Sequence, residues 1–202
     1  MKPSILIATG NRGKLVEMQT LLKPLNVDLV LPDSLGLNLQ VEENGMTYRE
    51  NAGLKAKAYG EVSGLLTLAD DSGLEVDALN GEPGLHSARY NPKPNANDRD
   101  RRLYLLEKLK NKKEPRNAHF HCTLAIAAPG KEIIFVEGNC PGEIINQEKG
   151  DNGFGYDPIF WLPQLQKTMA ELTMEEKNRV SHRALAVLAA LPLIKNILNL
   201  DA

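Results

Sequence analysis

The sequence predicts an α/β fold, and three features near its start indicate it. Residues 4–8 are an apolar run that ends in a Thr-Gly-Asn turn, which is typical of a buried strand. Residues 13–22 carry leucine and methionine at helical spacing, with Asn11 placed to cap the helix and Pro24 placed to end it. Residues 27–31 predict a second strand. The order strand, loop, helix, strand is the signature of an α/β domain.

A second helix and a third strand follow in the sequence. Residues 47–59 predict a helix, and residues 65–69 predict another apolar strand. We expect that strand to end at residues 70–73, which read Asp-Asp-Ser-Gly. Residues 84–96 are rich in Pro, Asn and Gly and predict a long loop.

The middle of the chain predicts a helix and a hairpin. Asp98 is placed to cap a helix over residues 99–110. The expected buried face of this helix carries three leucines, Leu103, Leu106 and Leu109. Residues 119–127 and 131–138 then predict two strands joined by a tight Pro-Gly turn.

The last part of the chain predicts a short strand and two helices. The strand covers residues 159–161, and Thr173 with Glu176 forms a capping box that starts a helix. Residues 184–198 predict a long apolar helix with a kink or break at Pro192. No repeat or linker divides the sequence, so we expect a single domain over residues 1–202.

The composition excludes several classes of protein. Apolar residues make up 42% of the 202 residues and charged residues 25%, which argues against disorder. The net charge of −2 argues against a dedicated duplex-DNA binder, which would carry a basic excess. Cys122 and Cys140 are too far apart for a CxxC motif. We find no secretory signal core and no run of about 20 apolar residues, so we expect a soluble cytoplasmic protein with free thiols.

The segment Thr9-Gly10-Asn11-Arg12-Gly13-Lys14 predicts a phosphate-binding loop. It lies between a strand and a helix, and a helix N-terminus offers N–H groups and a partial positive charge. Its small residues let a phosphate approach the backbone, while Arg12 and Lys14 add full charges. An ordinary strand-to-helix turn with exposed cations is the alternative.

Two adjacent aspartates, Asp70 and Asp71, follow the third predicted strand. In open α/β sheets, ligands gather at the carboxyl ends of strands. Two neighbouring carboxylates repel each other, and hard oxygen ligands suit Mg²⁺, so the pair predicts a cation site. Successive side chains leave a strand on opposite faces, so we expect one of the two to face the site. A residue of Glu42-Glu43 or Glu50-Asn51 would complete it, and an Asp-rich turn is the alternative.

Two segments near the end of the chain predict contacts to a planar base. Phe154-Gly155-Tyr156-Asp157 offers a stacking ring from Phe154 or Tyr156 and a carboxylate that reads the edge of a base. Lys177 and Ser181-His182-Arg183 follow, and His182 and Arg183 both donate hydrogen bonds to oxygen. A turn and a solvated helix end are the plainer interpretations. Together with the phosphate loop and the cation site, these segments are the parts of a nucleoside triphosphate site.

The sequence resembles the inosine/xanthosine triphosphate pyrophosphatases, which hydrolyse deaminated purine nucleotides. Six segments match in the family's order over residues 8–186: ATGNRGKLVE, EENGMTYRENAGLKA, ADDSGLEVDAL, GEPGLHSARY, GFGYDPIF and LTMEEKNRVSHRALA. The resemblance implies a long curved mixed sheet flanked by helices in two lobes, with the active-site cleft between them. It also implies a homodimer that needs Mg²⁺ and converts ITP, dITP or XTP to the monophosphate and pyrophosphate.

The resemblance further implies roles for individual residues. Asp71 would be the general base and a metal ligand, with Glu43 as the second metal ligand. The phosphates would be held by Thr9, Gly10, Asn11, Arg12, Gly13 and Lys14. Other substrate contacts would come from Ser72, Phe154, Gly155, Tyr156, Asp157, Lys177, His182 and Arg183. One departure is Ala184, which follows Ser-His-Arg where the family often has glycine.

The chemistry of these groups suggests a mechanism. Mg²⁺ would neutralise phosphate charge and lower the pKa of a water, Asp71 would take its proton, and hydroxide would attack the α-phosphorus. Lys14 and the helix N-terminus would stabilise the leaving pyrophosphate. His182 and Arg183 would donate to the six-oxygen of the purine, where adenine carries an amino group. Two mismatched donors at about 1–3 kcal/mol each give roughly 10²- to 10³-fold discrimination.

Three other functions fit the sequence less well. A related pyrophosphatase for modified pyrimidine nucleotides is disfavoured by the Ser-His-Arg and GFGYDPIF segments. A catalytically silent nucleotide-binding module is disfavoured by the intact Asp70–Asp71 pair, which binding alone does not need. A P-loop kinase is disfavoured because the GxxxxGK[ST] spacing is missing.

Overall fold

The computed structural model describes residues 2–200 and has the expected α/β class. The strands and helices, in chain order, are β1 Ser4–Ile7, α1 Arg12–Leu22, β2 Asp28–Val30, α2 Tyr48–Ser63, β3 Leu66–Val76, α3 Asp98–Leu109, β4 Asn117–Ala127, β5 Ile134–Ile144, β6 Phe160–Leu162, β7 Lys167–Thr168, α4 Met174–Val180 and α5 His182–Leu198. Short 3₁₀ turns connect several of them, including one over Gly84–Arg89 inside the predicted loop.

The strands of the described residues form one seven-stranded sheet in the order β2-β1-β3-β4-β5-β6-β7. β1 pairs in parallel with β2 and β3, whereas β6 pairs antiparallel with β5 and β7, so the sheet is mixed. Ile7, the last residue of β1, lies opposite Leu68 of β3. The pairing of β1 with β3 therefore ends two residues before Asp70.

Strand β3 continues where the sequence predicted its end. It runs unbroken from Leu66 to Val76 through both aspartates, so the strand end predicted at residues 70–73 is wrong. The physical reason is that apolar residues continue on the far side of the aspartates, where Leu74 and Val76 are fully buried. The sheet edge beside Asp70 and Asp71 is made by the end of β1, not by the end of β3.

The chain forms two compact units, each with its own apolar core. Within the described residues, unit 1 comprises residues 2–71, Cys122–Gly138 and 183–200, and unit 2 comprises Ser72–His121 and Asn139–His182. β3, β4 and β5 each run from one unit into the other. Neither unit is therefore a continuous stretch of chain.

The core of unit 1 places α2 close to the sheet. Ile5, Leu68 and Leu124 pack there with the apolar face of α5. A second cluster in the same unit is made mostly of alanines, including Ala52 and Ala56 of α2. Such small side chains let the helix approach the strands closely, which brings its polar residues to the aspartates of β3.

Helix α3 differs from its predicted cap and face. Asn97, not Asp98, is the N-cap: its side chain accepts the Asp100 N–H at 2.9 Å, and Asp98 is the first helical residue. Leu103 is 51% exposed, while Leu105 and Leu109 are buried in the core of unit 2. Of the three predicted leucines, Leu109 is confirmed as buried and Leu106 packs partly buried against the same core, whereas Leu103 is wrong. Leu105 takes its place, because it lies four residues before Leu109 on the same side of the helix.

The end of α2 differs from the predicted one by a few residues. The helix continues through Gly60 to Ser63, and Gly64 caps it in the left-handed region with φ 66°. α5 runs without a break through Pro192. The capping box of Thr173 and Glu176 is confirmed, since each side chain accepts the main-chain N–H of the other residue.

Among residues 2–200, no single helix is long and apolar enough to cross a membrane, and only α4 and α5 taken together as a bent pair reach that length and composition.

Candidate active site

The loop before α1 forms the first part of the candidate site, in unit 1. The Thr9 hydroxyl accepts the Asn11 N–H at 3.2 Å, and Asn11 Oδ1 accepts the Lys14 N–H at 3.1 Å. Asn11 is thereby confirmed as the N-cap of α1. A Cβ at Gly10 would meet no heavy atom within 4 Å, so open space lies against this backbone. The loop thus offers a helix N-terminus, with its partial positive charge, to an anion.

Asp70, also in unit 1, is a buried anion surrounded by cations. Its Oδ2 lies 3.0 Å from Lys14 Nζ and accepts hydrogen bonds from Arg183 Nε and Nη2 at 3.1 and 3.0 Å. Arg183 Nη1 donates to Glu17 Oε2 at 2.5 Å, so the guanidinium joins two buried carboxylates. Burial alone would raise the pKa of Asp70, but the lysines and Arg183 outweigh it and hold that pKa well below its usual range. Asp70 therefore stays charged.

Asp71 follows on β3 and has a different environment. Its Oδ2 accepts a hydrogen bond from Asn51 Nδ2 of α2 at 3.1 Å. Burial raises the pKa of Asp71 above its usual value and the charge of Glu43 acts in the same direction, although nearby lysines and Asn51 oppose both. The two aspartates thus have opposite pKa shifts, and Asp71 is the better proton acceptor of the two.

Glu43 is held near the aspartates by α2. Lys55 Nζ lies 3.3 Å from Glu43 Oε2 and donates to the main-chain oxygen of Asp70 at 2.7 Å. The Gly45 N–H donates to Asn51 Oδ1 at 2.8 Å, and a Cβ at Gly45 would lie 2.6 Å from a side chain of α2. One face of α2 therefore fixes both the Glu43 segment and the aspartates of β3.

In unit 2, a buried ion pair holds the aromatic segment over residues 154–157. Asp157 Oδ2 accepts the Phe154 N–H at 2.9 Å and lies 2.5 Å from Lys177 Nζ. Lys177 Nζ also lies 5.0 Å from the centre of the Phe154 ring, over its face. Gly153 has a φ of 75°, and a Cβ there would lie 2.0 Å from Asp157 Oδ2, so glycine is required.

The two aromatic rings of this segment differ in exposure. Tyr156 is 4% exposed, and its hydroxyl donates to the main-chain oxygen of Ser87 at 2.9 Å. Burial raises the pKa of Tyr156 above its usual value, so the hydroxyl keeps its proton. Phe154 is only half-buried. Of the two stacking candidates, the structure therefore favours Phe154.

His182 has an aromatic partner in unit 2. Its ring lies 4.7 Å from the ring of Phe120, centre to centre, and the two planes differ by 13°. Phe120 in turn lies 4.5 Å from Phe160 in the core. This stacking sets the plane of the imidazole.

The sequence-predicted residues fall into two groups, one in each unit. Unit 1 holds Thr9, Gly10, Asn11, Arg12, Gly13, Lys14, Glu43, Asp71 and Arg183. Unit 2 holds Ser72, Phe154, Gly155, Tyr156, Asp157, Lys177 and His182. Phosphate and metal candidates are thus together in unit 1, and base candidates are together in unit 2, apart from Arg183.

A comparison with protein families covers nearly all of these residues. The model of the Ham1 family matches residues 5–193. This chain belongs to the Ham1 family. The match includes all six of the segments that carry the resemblance, so the family assignment made from those segments is confirmed.

Individual Ham1-family relatives match over almost their full length. The chain is similar to a dITP/XTP pyrophosphatase from Synechocystis sp., with 49% identity over 185 residues that cover 91% of each chain. A HAM1 protein from Coxiella burnetii has a TM-score of 0.86 at 39% identity, covering 96% of this chain and 99% of that one. The Staphylococcus aureus Ham1 protein has a TM-score of 0.84 at 39% identity, covering 96% and 98%. The α/β fold with a mixed sheet is therefore the fold of these structures too.

The donor set of this Ham1-family chain fits a magnesium ion that also binds substrate. Within residues 2–200, no group of three or more His, Cys, Asp or Glu side chains is arranged to hold a metal. Mg²⁺ does not require one, because it usually takes one or two carboxylates together with substrate phosphates and waters. Glu43 and Asp71 supply two carboxylates, and the charge of Glu43 already acts on Asp71. A divalent cation would relieve that repulsion.

Four residues that organise the two groups were not assigned to the site from the sequence. They are Glu17, Lys55, Asp98 and Arg102. Glu17 carried a signal, since it lies beside Met18 on the apolar face of α1, where a charge needs a partner. Lys55 also carried a signal, since it lies one helical turn after Asn51 and therefore on the same face of α2. Asp98 was predicted only as a helix cap. Neither Asp98 nor Arg102 carried a signal for its contact with Gly155, because that residue is more than 50 positions away.

Proposed function

We propose that this Ham1-family chain is a Mg²⁺-dependent nucleoside triphosphate pyrophosphohydrolase. It converts ITP, dITP and XTP to the monophosphate and pyrophosphate, and so removes deaminated purines from the nucleotide pool. The observation that carries the proposal is the grouping in unit 1 of Asp71 and Glu43 with Lys14 and the start of α1. A carboxylate pair with an anion-binding helix start suits a metal–triphosphate. The Synechocystis relative is itself named a dITP/XTP pyrophosphatase.

The proposal assigns the triphosphate to the loop over residues 9–14. Arg12 and Lys14 supply positive charge, and the start of α1 supplies main-chain N–H groups. Lys14 Nζ is held 3.0 Å from Asp70 Oδ2, so the ammonium group is already oriented before substrate arrives. A preoriented cation stabilises charge as it develops on the leaving pyrophosphate.

Asp71 is proposed as the general base and, with Glu43, as a metal ligand. Mg²⁺, when bound, would offset the negative charge of the phosphates and lower the pKa of a water. Asp71 would take the proton of the water that attacks the α-phosphorus. Asn51 would keep the carboxylate oriented through its hydrogen bond at 3.1 Å. Lys55 would keep Glu43 within reach, since its ammonium lies 3.3 Å from that carboxylate.

The purine base is assigned to the residues of unit 2. Phe154 would stack on the base, and His182 would donate to its six-oxygen. Lys177 and Asp157 would read the remaining edge, and Ser72, Gly155 and Tyr156 would complete or support these contacts. A donor facing the six-position meets the amino group of adenine, and each mispaired donor costs about 1–3 kcal/mol. The preference for six-oxo purines follows from that mismatch.

A panel of nucleoside triphosphates tests the proposal. We expect pyrophosphate release from ITP, dITP and XTP with Mg²⁺, about 5- to 150-fold more slowly from ATP, and none after chelation with EDTA. Release of orthophosphate instead of pyrophosphate would contradict attack at the α-phosphorus. A chain that binds ITP without turnover would be the silent binding module, and a preference for modified pyrimidine nucleotides would establish the related pyrophosphatase.

Two further properties belong to the proposal. The homodimer implied by the family resemblance is tested by sedimentation of the purified chain. A cytoplasmic location is tested by fractionation of the cells that express it.

A further inference from the structure

Helix α3 holds the main chain on both sides of Gly155 in unit 2. The Gly155 N–H donates to Asp98 Oδ2 at 2.8 Å, and the Gly155 carbonyl accepts from Arg102 Nη1 at 2.8 Å. The first contact fixes the peptide that joins Phe154 to Gly155. The second fixes the next peptide, which leads to Tyr156.

The two anchoring side chains are themselves fixed. Arg102 Nε donates to Glu148 Oε1 at 2.9 Å, and these two side chains are 12% and 31% exposed. Arg101 pairs with the other oxygen of Asp98. Burial would raise the pKa of Asp98, but the hydrogen bonds from Gly155 and Arg101 outweigh it and lower that pKa. Both contacts to Gly155 therefore involve a charged partner, which makes them stronger than neutral hydrogen bonds.

The contacts to Gly155 matter because a glycine main chain can adopt more conformations than that of any other residue. Its φ is 61°, and a Cβ there would meet no heavy atom within 4 Å, so neighbouring side chains do not restrict it. Phe154 comes directly before it and holds its other contacts through Asp157 and Lys177. A rotation at Gly155 would change the direction in which the Phe154 ring projects.

We propose that Asp98 and Arg102 are positioning residues that fix the Phe154 ring for base stacking. The inference rests on the proposed function, because it assigns the orientation of the base to a helix that makes no proposed contact with substrate. The two residues act through the main chain of Gly155, and neither takes part in the chemistry on the phosphates.

The test compares Asp98→Ala and Arg102→Ala with the matched control Arg99→Ala. Arg99 is an exposed residue of the same helix, and Asn97 and Asp100 keep the helix capped in all three variants. We measure inhibition by IMP, which carries the base, and by pyrophosphate, which does not. We expect the inhibition constant for IMP and the KM for ITP to rise about 10-fold in both variants, as for one lost charge-assisted hydrogen bond. The inhibition constant for pyrophosphate should stay within about twofold of the wild-type value, and so should kcat for ITP. Arg99→Ala should resemble the wild type in all of these measurements.

Two results would overturn the inference. One is an equal loss for IMP and pyrophosphate, which would show a general structural role. The other is no loss for either. Arg102→Lys adds a graded test, since one ammonium keeps the charge but cannot reach Glu148 and Gly155 in the same fork, so we expect partial recovery of IMP binding.

A measurement independent of turnover separates this inference from the proposed function. Hydrogen exchange of the full chain reports on the amide of Gly155, which should exchange slowly in the wild type and at least about 10-fold faster in Asp98→Ala, where its acceptor is lost. Fast exchange of this amide in the wild type would refute the anchoring of Gly155 by Asp98. If the wild type fails to release pyrophosphate from ITP, the proposed function fails while the exchange result still stands.

Discussion

Arg183 donates two hydrogen bonds to one oxygen of Asp70: Nε and Nη2 lie 3.1 and 3.0 Å from Oδ2. Nη1 donates to Glu17, and the side chains of Arg183 and Asp70 are each 1% exposed. The sequence assigned Arg183 to the base, next to His182. The geometry favours a positioning role, in which Arg183 holds Asp70 and, through it, Lys14. The base contact stays a prediction, and one variant distinguishes the two roles.

Arg183→Ala should lower stability and affect all substrates alike. It removes the guanidinium that joins the buried carboxylates of Asp70 and Glu17, while Lys14 stays beside Asp70. Breaking a buried ion pair costs about 3–5 kcal/mol, which urea unfolding measures. We expect kcat/KM to fall by the same factor for ITP and ATP. A fall confined to ITP would assign Arg183 to the base. Arg179→Ala, which removes an exposed pair with Glu175, is the matched control and should cost less than about 1 kcal/mol.

Asp71→Asn should abolish most turnover while keeping the fold. The amide has the shape of the carboxylate and can still accept the hydrogen bond from Asn51. We expect kcat for ITP at saturating Mg²⁺ to fall by at least about 10²-fold, as for the loss of a general base. Near wild-type turnover would shift the role to Asp70. Asp77→Asn, at an exposed site after the same strand, should leave kcat unchanged.

Lys14→Ala should weaken the binding of ITP and ATP equally. Its ammonium lies at the start of α1, where anions are favoured, and it contacts Asp70 rather than any base candidate. We expect kcat/KM to fall by nearly the same factor for ITP and ATP, so that the ITP/ATP ratio stays nearly constant. A large change in the ITP/ATP ratio would contradict a phosphate role. Lys23→Ala, at the other end of the same helix, is the control.

His182→Gln should affect substrates unequally. The ring is stacked on Phe120, so it presents its nitrogens in a fixed plane. We expect kcat/KM for ITP to fall about 5- to 150-fold, the equivalent of 1–3 kcal/mol, and that for ATP to change little. A uniform fall would exclude base reading. His121→Gln provides a control, because that side chain leaves β4 on the opposite face from Phe120.

Glu176 should make stability depend on acid pH. Hydrogen bonds from Lys167 and the Thr173 N–H lower its pKa from 4.5 to about 2. Because the folded pKa is the lower one, the stabilisation is complete above the unfolded value and is lost as the pH falls from about 4.5 to about 2. We expect the unfolding free energy of the wild type to fall more steeply across this window than that of Glu176→Gln. The same flattening in Glu175→Gln would show that the effect is not specific to the Glu176 contacts.

Local features were predictable from the sequence because they depend on residues close in the chain. The Asn11 cap and the Thr173–Glu176 capping box each involve residues three positions apart, and both are present. The grouping of Lys14 with the aspartates was also foreseeable, since a loop after one parallel strand and the side chains of its neighbour meet at one edge.

The remaining features depend on long-range packing. The continuation of β3 past Asp71 is decided by Leu74 and Val76, which enter the core of unit 2. The partners of Arg183 are Asp70 and Glu17, and both are more than 100 positions away. No periodicity in a single segment reports such contacts, so the adjacency of His182 and Arg183 suggested a shared role that the burial of Arg183 does not support.

The division of the chain into two discontinuous units limits what genetic recombination can exchange. The chain enters unit 2 after Asp71, returns after His121, enters again after Gly138 and returns after His182. A gene fragment ending at residue 71 would lack β4 and α5, which supply much of the apolar core of unit 1. One recombination event therefore cannot duplicate, exchange or delete either unit as a whole. A crossover after residue 71 would join β1, α1 and α2 of one parent to β4 and α5 of the other, so the core of unit 1 would come from two sources.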